Sequence, residues 1–91
     1  MEISYDPEKR ARTLAERGLD FDDAVRMFAD KTIDYVDDRK DYGEVRWTSV
    51  GLLRSRMVVL VWTARGYVRH VISMRKANER EQEKHGRQLG S

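Results

Sequence analysis

The sequence predicts a single α+β domain, in which a small antiparallel β-sheet (a three-stranded C-terminal meander plus one or two short strands) packs on two N-terminal helices and a charged C-terminal helix follows. Three observations predict it. A chain of 91 residues is too short to divide into two pieces that each bury a useful core. Apolar residues recur at helical spacing up to about Asp30 and at strand spacing from Gly43 onward, which places the helices first and the sheet after them. There is no cysteine, so packing must supply the stability that disulfides or thiolate-bound metal supply in other small domains.

Taken in order, residues 2–5 alternate weakly and predict a short edge strand. Asp6-Pro7 then starts a helix, because Asp6 can cap it and Pro7 at the first helical position gives up no needed N–H. The helix is expected to end near Arg17, where Gly18 can take the left-handed conformation. Its apolar residues are only Ala11, Leu14 and Ala15, which predicts a narrow buried stripe and a wet face carrying Lys9, Arg10 and Arg12. A second helix is expected from Asp20, with Asp23 three residues on and Leu19 and Ala24 placed as a hydrophobic staple. Phe21, Ala24, Val25 and Phe28 form its apolar face, and it should stop near Asp30.

Residues 31–36 are β-prone and 37–41 read as a polar loop. Strands follow over about 43–51, 56–63 and 67–74, separated by Arg54-Ser55 and by Ala64-Arg65-Gly66. Met57 to Trp62 is apolar on both faces, so the middle strand should be central. From Lys76 to Arg87 the chain is helix-prone but charged all round, which predicts a helix lying loosely on the domain or waiting for a partner. The expected domain is 1–88, with 89–91 a tail.

Charge is distributed unevenly. Residues 1–44 carry 13 acidic and 8 basic side chains and residues 45–91 carry 3 and 10, within a formal net charge of +2. Between Val45 and Asn78 there are seven Lys or Arg and no acidic residue, so a polyanion is the natural partner unless those arginines pair with carboxylates of the acidic half. Metal and nucleotide cofactors are not expected, because neither His70 nor His85 belongs to a ligand cluster and the glycines are isolated. No segment has the length of a membrane span or the pattern of a signal peptide, which predicts a cytoplasmic protein with no membrane partner.

The last strand offers two faces. Strict alternation puts Arg69, Val71, Ser73 and Arg75 on one and Val68, His70, Ile72 and Met74 on the other. If Arg54-Ser55 is a two-residue turn and Ala64-Arg65-Gly66 a three-residue loop, Arg46 joins Arg69, Ser73 and Arg75; if both loops have the same parity, it joins His70. The first geometry is favoured, because it gathers arginines and leaves Ile72 and Met74 to pack on the helices. Arginines on a strand face suit RNA: the planar fork grips phosphate, and positive charge stabilises the phosphorane formed when a ribose 2′-OH attacks its own phosphate. His70 is the side chain in the strands that titrates near neutrality, competing with a plain packing role; Glu44 and Tyr67 are weaker candidates for proton transfer.

Several segments together resemble the BrnT family of toxins: Tyr5-Asp6-Pro7, Gly18-Leu19-Asp20-Phe21-Asp22-Asp23-Ala24, Glu44-Val45-Arg46-Trp47, Gly51 at the following hairpin, the strand Val58 to Thr63, and Arg69 to Glu81, the most specific of them. The resemblance implies a RelE-like fold and a toxin of a type II toxin–antitoxin system, acting as a metal-independent endoribonuclease that inhibits translation. It also implies a BrnA-like antitoxin whose DNA-binding domain would connect the toxin to promoter DNA only indirectly. Carried over by position, it assigns catalysis to Arg46, Arg65, His70 and Arg75 and RNA contacts to Arg69, Lys76 and Arg80, with no metal. The chain departs from the family pattern in places: His70 stands where many members have Arg, Glu16-Arg17-Gly18 where Lys-His-Gly is common, and Thr13 where Asn is common. The alternative is a non-catalytic module that binds nucleic acid or the antitoxin.

Overall fold

The computed structural model describes residues 1–90 and runs β1 (Glu2–Tyr5), α1 (Pro7–Arg17), a 3-10 turn (Phe21–Asp23), α2 (Ala24–Ala29), β2 (Thr32–Asp37), β3 (Arg46–Leu53), β4 (Arg56–Arg65), β5 (Val68–Lys76) and α3 (Glu79–Leu89). The strands form one sheet in the order β1-β5-β4-β3-β2, so the α+β class holds and the apolar β4 is central as its composition demands. Strands β2 to β5 are antiparallel neighbours. The sheet as a whole is mixed rather than antiparallel, because β1 pairs with β5 in parallel. A parallel pair needs a long connection, and everything between β1 and β5 supplies it.

The helix side of the sheet carries the larger core. Phe21, Met27, Leu60 and Met74 are fully buried there with Val58 and Val71, each large apolar side chain contributing about 1.5–3 kcal/mol. Asp20 caps as expected, accepting from Asp22 N–H, but what it caps is the 3-10 turn. With about three residues per turn, that start rotates the buried stripe to Phe21, Ala24 and Met27 and leaves Val25 exposed, which corrects the predicted face. Gly51 lies within β3 rather than at the hairpin, where a Cβ would come 3.3 Å from the Met27 methyl and 3.2 Å from that of Thr32.

α1 has the predicted Asp6 cap and left-handed Gly18 end. It lacks the predicted buried stripe, since none of its residues is buried and Leu14 is 41% exposed. Polar contacts hold it instead. Arg10 grips Asp20 with two bonds of 2.8 and 2.9 Å, and Arg17 donates to the Met74 carbonyl at 2.9 Å, on the stretch of β5 beyond its pairing with β1. α3 also differs from expectation. It is not charged all round: His85, Gly86 and Leu89 are buried, and Leu89 joins Val50, Met57, Val59 and Ala77 in a second core on the opposite side of the sheet. Its start is fixed by a capping box between Asn78 and Glu81. The helix thus runs past the expected boundary at 88; Ser91 lies outside the described residues.

Two connections and one irregularity decide which side chains share a face. Leu53 pairs with Arg56 across the two-residue turn Arg54-Ser55, as expected. Arg65 pairs with Val68, so the next loop is the two-residue Gly66-Tyr67 and not Ala64-Arg65-Gly66. Along β4 and β5 the register then slips: Trp62 faces Val71 while Val61 faces Ser73, leaving Ile72 as a β-bulge. A bulge inserts one residue and so reverses the alternation beyond it.

The turn at Arg54-Ser55 places two non-glycine residues at positive φ, 51° and 67°, the backbone of a type I′ hairpin that favours Gly in its second position. Ser55→Gly is expected to raise unfolding stability by about 0.5–1 kcal/mol and the midpoint by a few degrees. Thermal denaturation checks it; unchanged or lower stability would show that the turn carries no relievable strain.

Candidate functional site

Cross-strand pairing assembles a polar row on the α3 side of the sheet. Thr63 faces His70 and His70 faces Ser4; the β3–β4 register, carried one step beyond Trp47 and Trp62, places Arg46 beside Thr63. Adjacent strands are about 4.8 Å apart, so the Arg46 and His70 backbones stand about 10 Å apart. Arg65 follows Thr63 on the same face of β4, and Ser73 and Arg75 follow on β5, opposite Val61 and Val59. α3 covers Val59 and leaves the row open.

This overturns the expected grouping. Equal loop parity brings Arg46 to His70, and the bulge at Ile72 then brings Ser73 and Arg75 to that face as well. The two arrangements that strict alternation makes exclusive therefore coexist, with one casualty. Arg69 is on the helix side, its guanidinium 4.2 Å from the Trp62 ring centroid and 4.5 Å from that of Phe28, where it cannot act with Arg75. Arg46, Arg65, His70 and Arg75 share one face; Lys76 is exposed beside Glu16 and Arg17, and Arg80 is exposed on α3. Tyr67, fully exposed at a hairpin tip, stands outside the row.

Each cation has a distinct setting. Arg75 makes a two-pronged ion pair with Glu81 at 2.8 and 2.8 Å, which raises the Arg75 pKa and holds the Glu81 carboxyl at about 2. Arg46 lies 3.8 Å over the Tyr42 ring and 3.4 Å from Glu44. Arg65 has no carboxylate partner among the described residues. The His70 imidazole shares a 2.8 Å hydrogen bond between Nδ1 and Ser4 Oγ. Burial, and then the charge of Arg65, push its pKa below 6.5, while Glu44 pulls the other way. The balance favours the neutral imidazole.

Beside the row a hollow of about 370 Å³ opens between β2, the loop after it and α3, lined by Tyr35, Asp37, Arg39, Thr48, Ser73, Arg75 and Glu81 among others. Arg39 is bound to the buried Asp37 by bonds of 2.8 and 2.9 Å, which lowers the Asp37 pKa. Sequence reasoning missed Tyr35 and Arg39. Alternation in Ile33-x-Tyr35-x-Asp37 was the available signal, but only the pairing of β2 with β3 says which face it lands on. Among the described residues, no three His, Asp or Glu side chains converge as metal ligands, and no helix is long and apolar enough to cross a membrane.

Residues 5–81 match the family model described as ribonuclease toxin, BrnT, of type II toxin–antitoxin system. No curated protein gives a significant match to the chain.

The position of His70 predicts its titration. Arg65→Gln removes a like charge and should raise the His70 pKa toward 6.5, whereas Glu44→Gln should lower it. Because the folded value lies below the unfolded one, the unfolded chain binds more protons between the two; the fold loses stability from this group as pH falls below about 6.5. Imidazole proton shifts followed against pH check both substitutions, and a His70 pKa indifferent to Arg65 would remove the proposed proximity.

Proposed function

This chain belongs to the BrnT family of ribonuclease toxins of type II toxin–antitoxin systems, and on that premise we propose that the open sheet face is where it cleaves RNA, without a metal ion. The observation that carries the assignment is the bulge at Ile72, which brings Arg75 to the accessible face that the two hairpins already give to Arg46, Arg65 and His70.

The reaction uses the substrate's own 2′-OH as nucleophile. His70, neutral by virtue of burial and Arg65, has the protonation state of a general base. With Nδ1–H donating to Ser4 Oγ, the Nε2 lone pair is left free to take the 2′-OH proton. Attack on the adjacent phosphorus builds negative charge on a pentacoordinate phosphorane, and arginines aimed at it stabilise that charge more than they stabilise the ground state. Arg65 is available at once. Arg46 and Arg75 exchange Glu44 and Glu81 for phosphate oxygens, a like-for-like swap of oxyanions that keeps each guanidinium bonded. The 5′-oxygen leaves with a proton from solvent, a 2′,3′-cyclic phosphate remains, and His70 returns to solvent the proton it took from the 2′-OH. Cleavage of messenger RNA by this route inhibits translation.

Type II membership implies a protein antitoxin as partner. We assign to it a BrnA-like character with a DNA-binding domain, so that promoter DNA is reached only through that partner. Lys76 and Arg80, both exposed, are kept as RNA contacts; Arg69 is reassigned to packing on Phe28 and Trp62.

A second reading, binding without cleavage, is favoured by one observation: Arg46 and Arg75 both already have carboxylate partners. Purified protein incubated with single-stranded RNA separates the two, since the second reading requires salt-sensitive binding with intact RNA.

Arg46→Ala and Arg75→Ala are each expected to lower cleavage about 100- to 1,000-fold and to relieve growth arrest on expression, with thermal melts confirming a folded domain. Retained toxicity in both folded variants would refute the site. His70→Ala should cost about 100-fold or more and flatten the acid limb of the pH–rate profile. Chelator should leave the wild-type rate unchanged; loss of activity restored by divalent ion would refute metal independence.

A further inference from the structure

α1 puts no side chain into either core, so burial does not account for what its sequence offers. Its offering is charge. Lys9, Arg12, Thr13 and Glu16 stand at i, i+3, i+4 and i+7, one face of a helix, and that face borders a groove along β5. One end of the groove lies between Lys9, Arg12 and the bulge residues Ile72 and Ser73. The other shares Glu16 and Arg17 with it and ends at Arg75 and Lys76.

Charge accounting separates this groove from the hollow over the sheet. In the hollow, Arg39 and Arg75 are matched by Asp37 and Glu81, and Asp38 adds a further negative charge. In the groove, Lys9, Arg12, Arg17 and Lys76 have no carboxylate partner among the described residues, against the single carboxylate of Glu16. The two are continuous, because Ser73 and Arg75 line both. A polyanion reaching the sheet face therefore finds a cluster of uncompensated positive charge alongside α1.

We infer that the groove between α1 and β5 binds the phosphate backbone of single-stranded RNA to one side of the cleaved position. The inference rests on the ribonuclease reading and adds to it a separate binding surface. From Lys9 to Arg17 the helix rises about 12 Å, enough for more than one phosphate. The strand is unpaired, because in-line attack by a 2′-OH needs a backbone free to leave A-form geometry. Exposed cations such as these act through counterion release, so their contribution is read in salt dependence rather than in geometry.

The test is a salt titration of binding by the full chain, with the double variant Lys9→Gln/Arg12→Gln, to a long single-stranded oligoribonucleotide and to one of only a few nucleotides, using a non-cleavable 2′-deoxy residue at the cleavage site. The variant should lower the slope of log K against log salt by about 1.4 for the long strand, two contacts at about 0.7 each, and leave the short strand unaffected. At a pH well above 6.5, where loss of the Lys9 charge no longer changes the ionisation of His70, its single-turnover cleavage rate at saturating RNA should stay within about twofold of wild type, since neither residue touches the reacting phosphate. An unchanged slope in a folded variant would overturn the groove, as would loss of affinity for a purified antitoxin with RNA binding intact, which would make α1 a protein-docking helix. If wild-type protein binds but does not cleave the all-ribo strand and the slope still falls, the groove stands and the ribonuclease reading fails.

Discussion

One unpaired residue between β4 and β5 organises the face on which function is proposed. Ahead of Ile72, the side chains of β5 alternate in step with β4 from the Gly66-Tyr67 hairpin, which sends His70 to the α3 side and Arg69 and Val71 to the helix side. Beyond it the alternation reverses, so Ser73 and Arg75 return to the side of His70 while Met74 is buried among the helices. The bulge satisfies two demands at once. The helix-side core receives both Val71 and Met74, three positions apart, and the opposite face receives both His70 and Arg75, which an unbroken strand would separate.

The two sides of the sheet are finished differently, and this leaves the site open. The helix side is closed by Leu19, Phe21, Ala24 and Met27, with Ser49, fully buried in β3, satisfied by the Trp62 indole N–H at 2.8 Å and by Asp34. On the other side only one end is closed, by Leu89 of α3 and by Ala77 ahead of it, over Val50, Met57 and Val59. Arg75 sits at the edge of that cover, and Glu81 in the first turn of α3 both completes the capping box and holds its guanidinium. A single carboxylate thus ties the start of the helix to the margin of the row.

Local ion pairs explain why net charge is a poor map of this surface. Arg39 and Arg46 each pair with a carboxylate two residues earlier, and Arg10 and Arg54 reach Asp20 and Asp23. Where both partners are exposed such a pair adds about 0–1 kcal/mol to stability, yet each pair removes one cation from the field that a polyanion meets. The potential is left with the unpaired residues, and several of those lie along α1, in the half of the chain with the acidic balance.

Local signals in the sequence determined the elements: Asp6-Pro7 and Gly18 bound a helix, Met57 to Trp62 makes a central strand, and Arg54-Ser55 a tight turn, because caps, two-sided apolar runs and short loops act between near neighbours in the chain. They also marked Arg46, His70 and Arg75 as candidate site residues. Tertiary structure alone decided how those residues meet. Strand alternation has a period of two, so one bulge or one misjudged loop transfers every later side chain to the other face, and neither leaves a mark in composition. The parallel partner of β5, the exposure of Leu14 and the burial of Leu89 are likewise products of contacts between residues far apart in sequence. The segment from Arg69 to Ala77 could be recognised by its order of residues; which of its arginines shares a face with His70 was settled by the hydrogen-bond register with β4.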